Sequence, residues 1–482
     1  MNAAERAERA KRAVRRLTAQ LGPVVSVDDA ARERSRTDRS GFTAPGLPIA
    51  VVRAATVDHV QATLRIASEL RVPVVTRGAG TGLAGGACGS DGSIVLSTAG
   101  LNRILEIRPD DELAVVEPGV INQHLNDALA EYGLWFAPDP ASRAISTIGG
   151  NIATNAGGLL CAKYGVTREA VRGLSVVLAD GTLLRTGHRT VKGVSGYDLT
   201  ALMTGSEGTL GVIVEATLRV RPLPGATVTI GAGFDTVRQA AAAAAAVTAA
   251  RLRPAVLELL DPVALGIITA YLASTTPGDP DIVGTGAFLL LQSDGAGALA
   301  EAERALKVLR SAGGRARLER DPQAAERMLA IRRAFHPALD SRGTVLIEDV
   351  CVPRSRMAEM FDVIAEISER TGLLIPVVAH AADGNLHPNF VIPPQPGNSV
   401  PQTVWAAADE MFRAALRLGG TLTGEHGVGV LKRRWLAEDV GDTSLQLQRR
   451  LKAVFDPLNI LGPGTMFEPA EFTSVDPAEF TS

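Results

Sequence analysis

Short apolar runs alternate with longer segments of helical period from Pro48 onward. Residues 49–52, 72–76 and 94–97 are apolar runs of strand length, and residues 56–70 repeat apolar positions at helical spacing. Further runs at 104–107, 114–116, 174–178, 183–186 and 212–220 predict more strands. The pattern therefore predicts a first domain of short strands with helices between them.

The pattern changes after a Pro-rich hinge at residues 221–225. Strands are predicted at 227–234, 255–259, 287–292 and 316–319, with helices at 235–250 and 296–311. This is a β-α-β-β-α-β order of ferredoxin-like type. A helix at 323–335, a strand at 345–352, a helix at 355–370 and a buried strand at 373–378 complete this second domain. Two helices, at 431–436 and 444–454, follow near the C-terminus.

We accordingly predict four segments. Residues 1–222 form the first domain, 223–430 a cap domain, and 431–468 a C-terminal helical segment that returns to the first domain. Residues 469–474 and 477–482 both read Pro-Ala-Glu-Phe-Thr-Ser. A short polar duplication of this kind has no core partner, so we expect residues 469–482 to be a disordered tail.

Composition narrows the class of protein. A length of 482 residues predicts two or three domains, and a net charge of −3 with both signs interspersed gives no case for nucleic-acid binding. No apolar run approaches the roughly 20 residues of a transmembrane helix. Residues 3–21 form a basic helical pattern that Glu5 and Glu8 interrupt, which indicates a surface lead-in helix rather than a targeting signal.

The cysteines give information about redox chemistry and compartment. Cys88, Cys161 and Cys351 lie far apart and form no Cys-x-x-Cys, which argues against an iron–sulfur cluster and a disulfide scaffold. We expect a cytoplasmic protein, and leave open peripheral membrane association and a homodimer.

A glycine-rich loop spans residues 77–87, directly after a predicted strand. Its glycines let backbone N–H groups approach and wrap a pyrophosphate. Gly80, Gly82 and Gly85 match the Rossmann spacing, but a strand at 94–97 follows instead of the helix that a Rossmann turn must open. The loop therefore indicates another nucleotide-binding architecture; a flexible linker is a poor alternative because apolar strands bracket it tightly. A second segment of small and amide side chains, 146–158, suits a long, flat, polar cofactor.

Two histidines lie at the end of the predicted strand 373–378, separated by a tight turn. His380 and His387 flank Asp383-Gly384-Asn385, and such a turn can direct both imidazoles to one point, as in a divalent-metal site. Glu425 offers a third ligand beside His426, between two glycines. Spacing alone leaves open that these are ordinary loop residues.

Together these motifs resemble a known family. Residues 77–86, 149–158 and Gly-Ser-Glu-Gly-Thr-Leu-Gly at 205–211 resemble the FAD domain of vanillyl-alcohol-oxidase-like (PCMH-type) flavoproteins. The His-x6-His and Glu-His turns narrow the resemblance to FAD-linked dehydrogenases of D-2-hydroxy acids, such as glycolate oxidase flavoprotein subunits and D-lactate and D-2-hydroxyglutarate dehydrogenases. The resemblance covers about residues 48–467. It implies an α+β fold with a PCMH-type FAD-binding domain and a ferredoxin-like cap that binds substrate.

The resemblance also implies FAD contacts. The expected residues are Arg77, Gly78, Ala79, Gly80, Thr81, Gly82, Leu83, Pro138, Thr147, Gly150, Asn151, Thr154, Gly157, Tyr164, Glu207 and Ile213. Relatives that link FAD covalently through the loop carry a histidine there, and none stands between Arg77 and Gly86, so non-covalent FAD is implied. Gly462 and Thr465 replace an Asn and a Lys of the family's usual Leu-Asn-Pro-Gly-Lys ending.

The implied chemistry is oxidation of a D-2-hydroxy acid. His426 is the expected base, and His380, His387 and Glu425 would hold a divalent metal, with zinc, manganese and iron all compatible with these ligands. Arg332 is expected to bind the substrate carboxylate, although Arg333 is adjacent, and Asn389 to hydrogen-bond the substrate. Without an iron–sulfur or haem motif, electrons must leave to an external acceptor or a partner redox subunit.

Substrate choice is predicted from one position. In D-2-hydroxyglutarate dehydrogenases a lysine that helps bind the distal carboxylate stands two residues before a strand aspartate. The matching aspartate is Asp349, so the lysine position is Ile347, which favours D-lactate or glycolate. Arg333, Arg354 or Arg356 are the alternative cations for a second carboxylate. Two other classes remain as alternatives: a metal-free FAD enzyme of the same fold, such as a lipid-forming flavoenzyme, and a binding module, which the glycine-lined loops disfavour.

Overall fold

The computed structural model describes residues 3–275, 286–392 and 400–468. The predicted disordered tail at 469–482 lies outside the described residues. The strands are β1 (Val25–Ser26), β2 (Ala50–Arg53), β3 (Val74–Arg77), β4 (Ile94–Ser97), β5 (Ile104–Arg108), β6 (Leu113–Val116), β7 (Leu134–Trp135), β8 (Val171–Val177), β9 (Leu183–Gly187), β10 (Val212–Arg219), β11 (Arg221–Pro222), β12 (Thr227–Phe234), β13 (Val256–Leu260), β14 (Ala287–Asp294), β15 (Arg315–Glu319), β16 (Thr344–Ile347), β17 (Val350–Cys351), β18 (Val377–His380) and β19 (Asn385–Ile392).

The α-helices alternate with these strands. They are α1 (Ala3–Leu21), α2 (Asp29–Arg34), α3 (Val57–Leu70), α4 (Asn122–Ala130), α5 (Ile148–Thr154), α6 (Cys161–Tyr164), α7 (Thr167–Ala170), α8 (Leu199–Met203), α9 (Val237–Ala249), α10 (Pro262–Thr275), α11 (Ala298–Ser311), α12 (Pro322–Arg333), α13 (Phe335–Asp340), α14 (Met357–Thr371), α15 (Gln402–Arg417), α16 (Leu436–Val440) and α17 (Asp442–Phe455). Within the described part of the chain, no helix combines the length and apolarity needed to cross a membrane.

The chain divides into two compact units. Of the described residues, the first comprises 3–157, 166–223 and 425–468, and the second 158–165, 224–275, 286–392 and 400–424. The domain limits expected from the sequence stay predictions.

Two sheets form the frame of the first unit. In one, β2, β4 and β3 are parallel and β1 pairs antiparallel with β2. The other is an antiparallel sheet of order β5-β6-β10-β8-β9. Helix α3 packs on the parallel sheet and α1 packs on α3, and Leu17, Leu64 and Ile94 are fully buried in the core that they share. Thus α1, expected as a surface helix, contributes one face to a core.

The glycine-rich loop joins β3 to β4, which are parallel neighbours. No helix lies between them, because residues 78–93, all described, contain only turns and bends. The prediction that this is not a Rossmann turn is therefore confirmed. Within the second glycine-containing segment, residues 148–154 form the short helix α5, capped by Thr147.

One large sheet organises the second unit. Its strand order is β15-β12-β14-β13-β18-β19-β16, and β17 pairs with β19. Its first four strands and helices α9 and α11 match the predicted β-α-β-β-α-β order, with one correction. An additional helix, α10, stands between β13 and β14. Apolar residues lie on most sides of this helix, so its sequence does not show the alternation of apolar and polar positions at helical spacing that marks an amphipathic helix.

Two predicted elements are interrupted. The strand expected at 345–352 is divided into β16 and β17, because residues 348 and 349 leave the regular ladder. The helix expected at 431–436 is a 3-10 turn, Arg433–Trp435, leading into α16. The remaining predicted elements agree within a few residues at each end.

Candidate active site

The His-x6-His motif forms a β-hairpin in the second unit. His380 ends β18 opposite Asn385 on β19, and His387 lies two residues further along β19. Side chains two residues apart on a strand share a face, so both imidazoles project to the same side. Both are buried, and their ring centroids are 4.9 Å apart in an edge-to-face arrangement. The structure thus brings together the two histidines that the turn predicts.

Asp349 holds the chain next to Glu425. The register is the same on both sides of residues 348–349, with Ile347 opposite Asn389 and Val350 opposite Leu386, which sets Asp349 opposite His387. The fully buried Asp349 carboxylate accepts hydrogen bonds from Thr423 Oγ1 at 2.8 Å and from Gly424 N at 2.7 Å. Glu425 follows Gly424 directly, so the hydrogen bond between Gly424 and Asp349 constrains the backbone position of Glu425.

His380, His387 and Glu425 form a potential metal-binding group. One ligand atom from each lies within 4.8 Å of the others. Two imidazoles and a carboxylate are a donor set used by zinc, and they also suit manganese and iron. The residues present therefore fit a divalent metal.

A buried carboxylate that the sequence analysis did not single out supports this group. Glu258, in the middle of β13, is fully buried, and its Oε1 is 2.6 Å from His380 Nδ1. Its Oε2 accepts a hydrogen bond from Arg332 Nε at 2.7 Å. Burial opposes ionisation of Glu258, but His380 and Arg332 outweigh it and hold the pKa below its ordinary value. The sequence signal was a lone acidic residue in an apolar strand.

The two neighbouring arginines have different environments. The Arg332 side chain is 12% exposed and faces Glu258. Arg333 is 59% exposed and its Nη2 donates to Glu326 on the same helix. Among the described residues Arg332 forms no further hydrogen bond, so its two Nη groups remain as donors for a ligand.

Asn389 and Ile347 lie beside each other near the histidines. Asn389 is two residues beyond His387 on β19 and directly opposite Ile347 on β16. Its Nδ2 donates to the His387 carbonyl at 2.7 Å, while its buried Oδ1 has no partner within the described structure. A buried acceptor left unpaired marks a place for a ligand or a water molecule.

His426 lies in a turn of the first unit, and Glu207 accepts hydrogen bonds from the backbone of that turn. His426 Nε2 is 3.9 Å from Glu425 Oε1. The Glu207 carboxylate accepts hydrogen bonds from Val428 N and Gly429 N, both at 2.8 Å. Burial raises the pKa of Glu207 to about 7, although these two N–H groups favour the ionised form.

The glycine-rich loop is held by hydrogen bonds and close contacts within the first unit. Arg77 Nη1 donates to the carbonyls of Thr37 and Ala87, at 2.7 and 3.0 Å. A Cβ on Gly78 would collide with the Thr147 hydroxyl, and a Cβ on Gly80, at φ +71°, with the Arg77 guanidinium. Asp38, missed in the sequence, accepts from Gly85 N at 3.0 Å.

The other predicted FAD contacts divide between the two units. In the first unit Gly150, Asn151 and Thr154 are in α5, Gly157 follows it, and Ile213 is in β10. Asn122 Nδ2 donates both to the Pro138 carbonyl and to Asn151 Oδ1 of α5. Ala79, Thr81, Gly82 and Leu83 continue the loop. Gly205 N and Glu207 N donate to carbonyls of α5, which joins the third glycine motif to the second. Tyr164 belongs to the second unit, where its hydroxyl donates to Asp294 at 2.6 Å.

These residues fit an FAD nucleotide. Gly78 lies against the Thr147 hydroxyl and Gly80 has φ +71°, so both positions favour glycine, and a backbone without side chains there is suited to close approach by a ligand. The Thr76 hydroxyl, at the start of the loop, is buried and has no hydrogen-bond partner in the described ranges. Its position suits a polar cofactor.

Comparisons with known proteins identify the family of this chain. Residues 48–187 match an FAD binding domain, and residues 223–466 match the FAD linked oxidases, C-terminal domain. The chain is 40% identical over 425 residues to glycolate oxidase subunit GlcD of Bacillus subtilis, covering 87% of this chain and 89% of that protein. It is 32% identical to a D-lactate dehydrogenase of Anaerostipes hadrus, covering 91% and 94%, and 35% identical to one of Archaeoglobus fulgidus, covering 86% and 90%.

Solved structures show the fold. The structure of p-cresol methylhydroxylase with substrate bound gives a TM-score of 0.79 at 19% identity, covering 96% of this chain and 98% of that one. An alkyldihydroxyacetonephosphate synthase gives 0.72 at 19% identity, covering 94% and 85%. The predicted PCMH-type α+β fold is confirmed. The chain therefore belongs to the FAD-linked oxidases and is an FAD-dependent oxidoreductase of the group that includes glycolate oxidase subunits and D-lactate dehydrogenases.

Proposed function

We propose that this protein oxidises a small D-2-hydroxy monocarboxylate, D-lactate or glycolate, to the 2-oxo acid. The observation that carries the proposal is the convergence of His380, His387 and Glu425 in a chain of the FAD-linked oxidase family. Metal-free members of the fold class would have no use for this donor set. Relatives named glycolate oxidase subunit and D-lactate dehydrogenase support the substrate class.

The reaction needs a hydride acceptor and a base. FAD, held without a covalent bond by the glycine-rich loop, would supply the acceptor for the hydride from substrate C2. His426 accepts the hydroxyl proton, because an imidazole titrates near neutral pH and can act as a general base. The hydride and the proton together account for the two electrons and two hydrogens lost by the substrate.

Binding requires a cation for the carboxylate. Arg332 supplies a planar guanidinium whose Nη groups can pair with both carboxylate oxygens. Asn389 Oδ1 can accept a hydrogen bond from the substrate. A divalent cation held by His380, His387 and Glu425 would polarise the hydroxyl and lower its pKa.

The environment of Ile347 favours a monocarboxylate. Ile347 stands opposite Asn389 and is apolar, so it cannot neutralise a second carboxylate. Burying such a charge unpaired would cost several kcal/mol. The alternative cations point elsewhere: Arg333 pairs with Glu326 and Arg356 with Glu359, and Arg354 is exposed.

The electrons leave to a partner redox subunit or another external acceptor. One relative is named as a subunit of glycolate oxidase, which supports a partner of this kind.

The test is a substrate panel on the purified FAD-containing protein. We expect D-lactate or glycolate to bleach the flavin anaerobically and to give the highest kcat/KM with one artificial acceptor, above D-2-hydroxyglutarate and L-lactate. Chelator treatment should abolish the bleaching, and re-addition of metal should restore it. Acid precipitation should release the flavin. A preference for D-2-hydroxyglutarate, or bleaching that survives complete metal removal, would contradict the proposal.

A further inference from the structure

Glu258 contacts two side chains with different assigned roles. We infer that it is a positioning residue that orients the candidate metal ligand His380 and the candidate carboxylate-binding Arg332 at the same time. The inference rests on the proposed function, which gives these two residues their roles.

The contact with His380 selects one tautomer. Glu258 stands directly opposite His380 in the β13–β18 pair, and its Oε1 is 2.6 Å from His380 Nδ1. A carboxylate oxygen can only accept, so Nδ1 carries a proton, and a metal bound at this ring would have to use the lone pair of Nε2. Carboxylates in this position fix the ring orientation of metal-bound histidines and raise their basicity. The hydrogen bond therefore prepares Nε2 as the ligand atom.

The contact with Arg332 fixes the plane of the guanidinium group. Glu258 Oε2 accepts from Arg332 Nε at 2.7 Å, and the Arg332 side chain is only 12% exposed. Holding Nε fixes the guanidinium plane and leaves the two Nη groups as a fork for a carboxylate. One rigid side chain, fully buried on a central strand, thus sets the direction of both partners.

A glutamine at this position separates positioning from simple packing. Glu258→Gln keeps the shape but has one acceptor oxygen, so its amide N–H would face either His380 Nδ1–H or Arg332 Nε–H. Asp261→Asn is the matched control: Asp261 is also buried, just past the end of β13, but within the described ranges its carboxylate accepts from backbone N–H groups such as Ala264 N and from no side chain.

The experiment measures Zn²⁺ affinity of the full-length FAD-containing protein by competition with a chromophoric chelator. We expect Glu258→Gln to weaken Zn²⁺ binding by about 10–100-fold, the usual effect of losing such a partner, and to raise KM for the hydroxy acid. Glu258→Asp, which keeps the charge but cannot reach both partners, should also weaken binding and serves if the Gln variant does not fold. Asp261→Asn should bind Zn²⁺ as the wild type does.

A reference variant separates this inference from the proposed function. His387→Ala should lose Zn²⁺ binding. If it does, while both Glu258 variants bind Zn²⁺ with wild-type affinity and have unchanged KM, the positioning role is wrong and the metal site stands. If His387→Ala binds Zn²⁺ as the wild type does, the metal site is wrong and the inference falls with it.

Discussion

His426 is constrained by its neighbours on both sides along the chain. Before it, Gly424 is anchored by Asp349, and after it, Val428 and Gly429 donate to the buried Glu207. The His426 side chain is about 10% exposed, and its Nε2 is 3.9 Å from Glu425 Oε1. Anchoring of the chain on both sides of His426 therefore fixes the position of this candidate base.

Replacing His426 tests its role as the base. His426→Ala should leave FAD and metal bound but slow anaerobic flavin reduction by about 100-fold or more, because a general base contributes at least that factor. His124→Ala, at an exposed position of α4, is the control and should reduce its flavin at the wild-type rate. Stopped-flow absorbance of the flavin measures both. Flavin reduction in the His426 variant at the wild-type rate would exclude the assignment.

At the scale of elements, the turn 425–430 is packed on the glycine-rich loop. Val430 N donates to the Ala84 carbonyl at 2.8 Å, and Met466 N donates to the Gly429 carbonyl at 2.8 Å. Gly429 has φ +53°, and a Cβ there would collide with the Ala84 carbonyl oxygen. The glycine-rich loop is thus in contact with a turn that lies more than 300 residues further along the chain.

Substitution of Gly429 tests this packing. Gly429→Ala should lower FAD occupancy and thermal stability, because the added Cβ pushes the turn away from the loop. Gly441→Ala is the control: it has φ +78° with no atom near its Cβ, so it carries only the backbone strain of about 1–2 kcal/mol. The flavin-to-protein absorbance ratio and Tm are the measurements. If the two variants have equal flavin-to-protein ratios and equal Tm values, backbone strain alone accounts for the effect of Gly429→Ala, and the contact with the loop contributes nothing.

On the scale of the whole molecule, the C-terminal residues complete the first unit. Lys452 on α17 is fully buried and donates to the Thr209 and Leu461 carbonyls, each at 2.9 Å, and to Asp456. Asp456 also accepts from Ile460 N and Leu461 N. Burial lowers the pKa of Lys452, and the Asp456 charge opposes that change. Through the hydrogen bond from Lys452 to the Thr209 carbonyl, this ion pair connects α17 to the glycine motif at 205–211.

Removing the ammonium should destabilise this unit. Lys452→Met leaves Asp456 without its counter-charge, which costs about 3–5 kcal/mol for a buried pair. Arg450→Met, at an exposed position of the same helix, should change Tm little. Differential scanning fluorimetry compares the two. A Lys452 variant as stable as the Arg450 variant would mean that the pair contributes no net stability.

The sequence by itself determined the local structure and the kinds of chemistry. Strands 94–97 and 227–234 were predicted with the observed limits, because alternating or continuous apolar runs bounded by turn residues depend on near neighbours. The glycine-rich loop between strands and the two-histidine turn were likewise local, so both could be predicted from spacing. Helix α10 was missed because its apolar residues surround it and leave no period.

Only the tertiary structure decided what surrounds those motifs. Pairing of β13 with β18 joins the predicted ferredoxin-like strands to the histidine hairpin, and it sets Glu258 against His380, 122 residues away. Only the family resemblance favoured Arg332 over its neighbour Arg333 in the sequence, whereas in the structure burial against Glu258 distinguishes the two side chains. A strand's apolar pattern predicts that its side chains will be buried, but not which strand will be its neighbour, because that depends on contacts between residues distant in the chain.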